Sequence, residues 1–406
     1  MNNVLILTYW SYPDPLIQTY TLPYVRILKK NLPQSSSVFL LTLEKDISTL
    51  TDTKRLEIES QLKKEGIYWL PFTYRSFGLS AFFFWIYTAF RLCTLIIQNK
   101  ISTIHCWCTP AGAIGYFLAT LLNKQLIIDS YEPHAEAMVE NGTWRKSSIA
   151  FRLLFWLEKK QTQKANQIIS ATEGMRKYAA DKYGVAIKNF YVKPACVNLD
   201  LFSTTDLKDP ELLQAFGLDK KFVCVYAGKF GGIYLDKEVF DFFKVAADYW
   251  GDSFRVLLLT NHSREQVEAY CSESLLSPHL VISTYVSHHL IPRYIGLGDF
   301  AVTPVKPVPT KKYCTPIKDG EYWALGLPVV IPANISDDSE IIEENSIGAV
   351  MHSLDKPAYL EAIKKIDALI QQPKDQTFSK IRGIADRYRS YQIAEKVYQQ
   401  VYGQQN

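Results

Sequence analysis

The chain has 406 residues, too many for one ordinary hydrophobic core; with 48% hydrophobic and 21% charged residues it is composed as a folded protein, not a disordered one. A formal net charge of +4 is too small to argue for a nucleic-acid partner and leaves room for anionic small molecules or anionic lipid. The seven cysteines are scattered and odd in number, and Cys106 and Cys108 are spaced wrongly for a zinc clip or a redox dithiol, so a reducing, cytoplasmic compartment is expected.

The N-terminal "NNVLILTYW" is strand-like and has no basic segment leading into an apolar one, so no signal peptide is expected there. Six further apolar, β-branched runs follow: "SVFLLTL", "GIYWLPF", "STIHCWC", "QLIIDSY", "QIISAT" and "NFYVKPA". Helical patterns separate them, as at 17–30, 110–122 and 147–164. That alternation predicts a parallel sheet built from right-handed βαβ units. One helical stretch, "LSAFFFWIYTAFRLCTLII" (Leu79–Ile97), is nearly long enough to span a bilayer but is interrupted by Arg91. It reads either as a long buried helix or as an aromatic helix that docks on a membrane surface.

The rhythm breaks over 196–220, a polar stretch that contains Asp209-Pro210. A second series then begins with "FVCVYAG", "FRVLLLTN", "HLVISTYV", "DFAVTPV", "LPVVIPA" and "IGAVM". The pattern predicts an N-terminal domain over 1–205 and a second over 206–385, both doubly wound and facing a cleft. The amphipathic "SYQIAEKVYQQVYGQ" suggests that the final helix, 386–406, packs back on the first domain.

Ligands of open parallel sheets bind beyond the carboxyl ends of the strands, so residues just after strands carry the functional signal. In "TPIKDGEYWALGLPVVIP" (315–332), Thr315 suits an N-cap and Pro316 the first helical position. The free N–H groups of Ile317, Lys318 and their neighbours would then meet an anion, with the Lys318 ammonium beside them. Glu321, one turn further in, leans back toward the helix start and could accept hydrogen bonds from a sugar diol. The same residues also read as a capped helix with a solvated Lys–Glu pair. The other half is "VCVYAGKFGG" (223–232), where glycines Gly228, Gly231 and Gly232 let the backbone approach a ligand and Lys229 brings charge. It is neither a dinucleotide fingerprint nor a Walker loop. The two segments together suggest a diphosphate held between two loops of one domain.

The segment "CTPIKDGEYWALGLPVVIPANISDDSEIIEENSIGAV" resembles the donor-binding region of retaining GT-B glycosyltransferases of the large family 4-like group, where a helix of the type "SPxK…EYxAxGxPVV" recurs. "YAGKFGG" looks like the loop opening their nucleotide domain, and "VKPACVNLDLF" stands where they carry a hinge. The resemblance implies two Rossmann-like domains and transfer of a sugar, with retention, from a nucleotide-diphosphate-sugar to a saccharide or lipid-linked acceptor. It implies no cofactor and no obligatory metal, in keeping with the lack of an Asp-x-Asp motif. In this likeness Glu321 holds the ribose, Lys229 neutralises the diphosphate, and the 315–318 helix start is the second clamp. Lys237 stands eight residues after Lys229, a longer spacing than the usual basic pair, and reads equally as a solvated helix residue. Tyr313 replaces a glutamate common in the family, and the loop "SYPDPLIQTY" has no glycines, so no acceptor contacts are carried over.

On the catalytic side, "QLIIDSYEPHAEAM" sets Asp129, Glu132 and His134 at a strand end facing the cleft. In the resembled family a histidine after this strand contacts the donor sugar, which makes His134 the candidate, with Glu132 beside it. His105, inside a strand, reads as a core residue, and His288 and His289 as a loop pair of little functional weight. Two alternatives stay open: a UDP-sugar epimerase on the same fold, and a catalytically silent sugar-nucleotide binder.

Overall fold

A computed structural model describes residues 2–45, 51–74, 79–203 and 207–403, with residues 79–86 described in their backbone only. The chain divides into two compact units, Met1–Lys193 with Gln392–Asn406, and Pro194–Tyr391.

The N-terminal unit contains β1 (Asn3–Leu7), β2 (Val38–Glu44), β3 (Ile67–Thr73), β4 (Ile101–Trp107), β5 (Gln125–Tyr131), β6 (Gln167–Ser170) and β7 (Phe190–Val192). They form one parallel sheet in the order β3-β2-β1-β4-β5-β6-β7. Val4, Leu5 and Ile6 in central β1 are fully buried, as expected of a strand covered on both faces. The C-terminal unit contains β8 (Phe222–Ala227), β9 (Phe254–Leu259), β10 (Val281–Thr284), β11 (Phe300–Val302), β12 (Val329–Pro332) and β13 (Gly348–Met351), in the order β10-β9-β8-β11-β12-β13. Its strand order reverses between β8 and β11, the switch point where doubly wound sheets leave a crevice. Among the described residues no helix is long and apolar enough to cross a membrane.

The crossover from one unit to the next lies earlier than the 205/206 boundary read from the sequence. Val197 and Phe202 are buried in the C-terminal unit's core with Leu218, Val223 and Val225. The Val197 N–H donates to the Arg389 carbonyl at 2.8 Å, and the Arg382 guanidinium donates to the carbonyls of Leu199 (2.9 Å) and Phe202 (2.7 Å). The polar surface of this segment hid those anchors. The Lys374–Arg389 helix likewise belongs to the C-terminal unit through its last turn, beyond the expected end at 385.

The Tyr391–Gly403 helix lies in the N-terminal unit. Its Tyr402 hydroxyl meets His105 Nδ1 at 2.7 Å, its Tyr398 hydroxyl donates to Asp129 at 2.7 Å, and the Val401 carbonyl accepts from the Gln167 side chain at 3.1 Å.

Candidate functional site

In the C-terminal unit, the loop after β8 and the Ile317–Ala324 helix, which follows β11, both adjoin the strands of the switch point. The Ala227 N–H, at the end of β8, donates to the buried Tyr322 hydroxyl of that helix at 3.1 Å, which ties the two segments together. Beyond Ala227, the Gly228 N–H bonds to the Leu259 carbonyl at 3.0 Å; a Cβ at Gly228 would come within 2.5 Å of the Tyr226 hydroxyl, so only glycine fits. That hydroxyl donates to the Lys229 carbonyl at 2.6 Å, and the Lys229 side chain is exposed.

The helix start differs by one residue from the sequence expectation. Pro316 has extended backbone (ψ 120°) and occupies the N-cap position itself, so Ile317 is the first helical residue. Thr315 therefore does not cap; its Oγ1 accepts from the Ser336 hydroxyl at 3.4 Å. The amides of Ile317 and Lys318 still open the helix, and the Lys318 ammonium donates to Glu321 Oε2 at 2.8 Å. Glu321 is almost fully buried, whereas Lys318 is half-open to solvent. Gly326, at φ 68°, follows the helix end in the left-handed conformation.

Lys237 is not gathered into this group. Its ammonium is held by Asp241 one turn along its own helix, at 2.7 Å, on an exposed face. An i,i+4 ion pair is available wherever lysine and aspartate have this spacing, and here it wins.

Two histidines join the site: His262, not singled out in the sequence, and His288, expected there to be a loop residue of little functional weight. His262 Nε2 accepts the Phe230 N–H at 3.0 Å and so steadies the loop that carries Lys229. His288 lies near the Glu321–Lys318 pair: desolvation pushes its pKa down, with Lys318 acting in the same sense and Glu321 against. The signal for both was position, just past the carboxyl ends of β9 and β10. A hollow of about 550 Å³ opens there, lined by Thr260, His262, Thr284 and Tyr285 among others. A smaller hollow, about 110 Å³, is lined by Gly296, Gly298, Gly326 and Pro328 at the amino ends of β11 and β12. Parallel sheets do not bind their ligands at that end.

Beneath the helix start is a buried ionic cluster. Asp319 accepts from the Thr303 hydroxyl, and Arg389, stacked over the Trp323 ring at 5.0 Å, donates to Asp338. Burial, then the neighbouring Asp338 charge and a hydrogen bond between the two carboxyls, hold the Asp319 pKa well above the usual aspartate value. Asp319 thus holds its proton to a higher pH than an ordinary aspartate. Gly320 leaves room for this arrangement: a Cβ there would approach Val197 and the Arg389 side chain at 3.0–3.1 Å.

In the N-terminal unit, Glu132 and His134 follow β5, and His134 Nδ1 lies 3.3 Å from Glu132 Oε1. Both side chains are about one-third exposed. Asp129 is not with them at the surface, contrary to the sequence expectation. It is fully buried and meets Lys193 and His105, each at 3.2 Å, and the Tyr398 hydroxyl. Burial works to raise its pKa, but Lys193, His105 and Tyr398 bring it below the usual value. Its Oδ1 also accepts the N–H of Ser130, whose φ of 51° turns the chain out of the strand toward Glu132. Glu158, also missed in the sequence, accepts the Ala135 N–H at 2.8 Å and so anchors the turn that carries His134; burial pushes its carboxyl up to about 7.

These features can be set beside known proteins. No protein-family profile matches the chain. It is 20% identical over 282 residues to the α-D-kanosaminyltransferase of Streptomyces kanamyceticus, which spans 65% of this chain and 68% of that one. The sucrose-phosphate synthase of Thermosynechococcus elongatus superposes with a TM-score of 0.72 at 16% identity, covering 100% of this chain and 99% of the other. HepE of Anabaena in complex with UDP gives a TM-score of 0.70 at 14% identity, with 100% and 99% covered. The chain has the GT-B fold. Within that GT-B frame, the seven- and six-stranded parallel sheets are the cores of its two Rossmann-like units.

Proposed function

We propose that this chain is a retaining glycosyltransferase. It moves a sugar from a nucleotide-diphosphate-sugar to a saccharide or lipid-linked saccharide acceptor in bacterial surface polysaccharide or glycoconjugate synthesis, working on the cytoplasmic side of a membrane. The observation that carries the reading is the bond from the Ala227 N–H to the Tyr322 hydroxyl. It couples the Lys229 loop to the helix that offers Lys318, Glu321 and two open amides. The likeness to a kanosaminyltransferase supports the same reading.

In this proposal the Lys229 and Lys318 ammonium groups and the amides of Ile317 and Lys318 bind the diphosphate, and they stabilise it more strongly as it departs with growing negative charge. Glu321 gives Oε2 to Lys318 and uses Oε1 for a ribose hydroxyl. Retention lets the leaving diphosphate accept the proton of the acceptor hydroxyl as the new bond forms on the same face. His134, paired with Glu132, orients the sugar. Cationic side chains do the work that a resident metal would otherwise do, so chelation is expected to leave the rate unchanged.

Incubation of the purified protein with labelled nucleotide-sugars and lipid-linked saccharides tests this. Lys229→Ala is expected to lower kcat by about 100-fold, and Glu321→Gln to weaken donor binding by about tenfold. Transfer undiminished in both variants overturns the site. Binding without transfer favours the silent binder, for which Tyr313 in place of a family glutamate already speaks.

A further inference from the structure

The sheet order of the N-terminal unit sets three helices side by side. From β1 the chain steps outward to β2 and β3, then returns to β4 and proceeds the other way to β7. Right-handed crossovers therefore put the helices Leu79–Gln98, Thr109–Leu121 and Ile149–Lys164 on one face. The middle helix contacts both neighbours.

The outer surface of this layer is apolar to an unusual degree. Phe90 and Ile97 on the first helix, Phe117 and Leu121 on the second, and Ile149 and Trp156 on the third are all exposed, Phe90 at 71%, Leu121 at 73% and Ile149 at 82%. Their spacings of seven, four and seven residues make one stripe per helix. Isolated exposed apolar residues need no explanation, but a stripe on each of three adjoining helices does.

Charge identifies what covers it. Residues 79–164 contain nine lysines and arginines against five acidic residues, Asp129, Glu132, Glu136, Glu140 and Glu158. Asp129 and Glu158 are fully buried, Glu132 lies against His134 and Glu136 against Lys182, so positive charge dominates what this layer offers to solvent. The whole chain carries only +4, which makes this a local concentration of positive charge. Two of the bases sit against exposed aromatic rings: Lys160 lies 5.8 Å from the centre of Trp156, and Arg91 5.9 Å from that of Tyr87. Aromatic and aliphatic side chains mixed with long basic ones are suited to the boundary between lipid headgroups and acyl chains.

We propose that this three-helix face docks on an anionic lipid bilayer. The proposal does not depend on the sugar-transfer reading, and its readout is separate from activity. Full-length protein is mixed with vesicles of phosphatidylcholine alone or with added phosphatidylglycerol, at low and high salt, and sedimented. Sedimentation is expected with the anionic vesicles at low salt and to fall at high salt. Each basic residue neutralised on this face, for example Arg152→Gln, is expected to weaken binding about fivefold. The triple variant Phe90→Glu, Phe117→Glu, Ile149→Glu is expected to abolish it. These side chains already face water, so folding is retained. The control Leu56→Glu, Leu275→Glu alters two exposed apolar residues elsewhere and is expected to bind like the parent. Failure of the parent protein to bind anionic vesicles overturns the proposal, as does binding that survives the triple variant. So does a concentration-dependent dimer that the triple variant dissociates while the parent ignores lipid, because a second copy of the chain would then cover the face.

Discussion

Each unit buries an ionic cluster under its candidate residues, and the two are built with opposite balances. In the N-terminal unit one carboxylate, Asp129, is met by Lys193, His105 and the Tyr398 hydroxyl. In the C-terminal unit two carboxyls, Asp319 and Asp338, have the single cation Arg389 between them. Where donors are in excess the acid stays ionised despite full burial. Where they are short, one acid holds its proton to a higher pH. Both arrangements fix a chain segment just below a surface group, Ser130 to His134 in one case and Lys318 to Glu321 in the other.

The largest expected effect comes from removing the only cation. Arg389→Met leaves the buried Asp319–Asp338 pair without a counter-charge and is expected to cost about 3–5 kcal/mol in the denaturation transition of the C-terminal unit. Lys193→Met is expected to cost less, about 2–3 kcal/mol in the N-terminal unit, because His105 and Tyr398 still serve Asp129. An equal or larger loss for Lys193→Met would break the contrast. Dependence on pH sharpens it. Asp129 has a lowered folded pKa, so its contribution is complete above the ordinary aspartate value of 3.8 and is lost as pH falls below that toward the folded value. Asp319 has a raised one, so its contribution is complete below 3.8 and is lost as pH rises toward the folded value. Asp319→Asn mimics the protonated acid. It is expected to flatten the stability of the C-terminal unit above pH 3.8, with a change of about 1 kcal/mol or less at low pH. Urea titrations of parent and variant across the acid range measure both slopes.

The two sheets were legible in the sequence because strands covered on both faces appear as unbroken apolar runs, and every one of the thirteen runs is a strand. The Lys229 loop and the Lys318–Glu321 helix start were legible because glycines and a proline mark the backbone there. The clusters beneath were not. Asp338 and Arg389 lie 51 residues apart, and Asp129 and Tyr398 lie 269 apart, so no local spacing announces either bond. The Asp129 side chain shows the same limit: its place at a strand end was readable, but its inward turn depends on Lys193 and the last helix. Lys237 is the reverse case: its partner Asp241 stands at i+4 on the same helix, and of its two readings the solvated helix residue fits the structure.

The N-terminal unit is completed by Gln392–Asn406, whereas the C-terminal unit is one unbroken stretch, Pro194–Tyr391. Synthesis from the N-terminus therefore makes every residue of the second unit before the last helix of the first. Asp129 and His105 can meet their hydroxyl partners only once Tyr398 and Tyr402 have been made, so the unit begun first cannot be finished before the second has been fully synthesised.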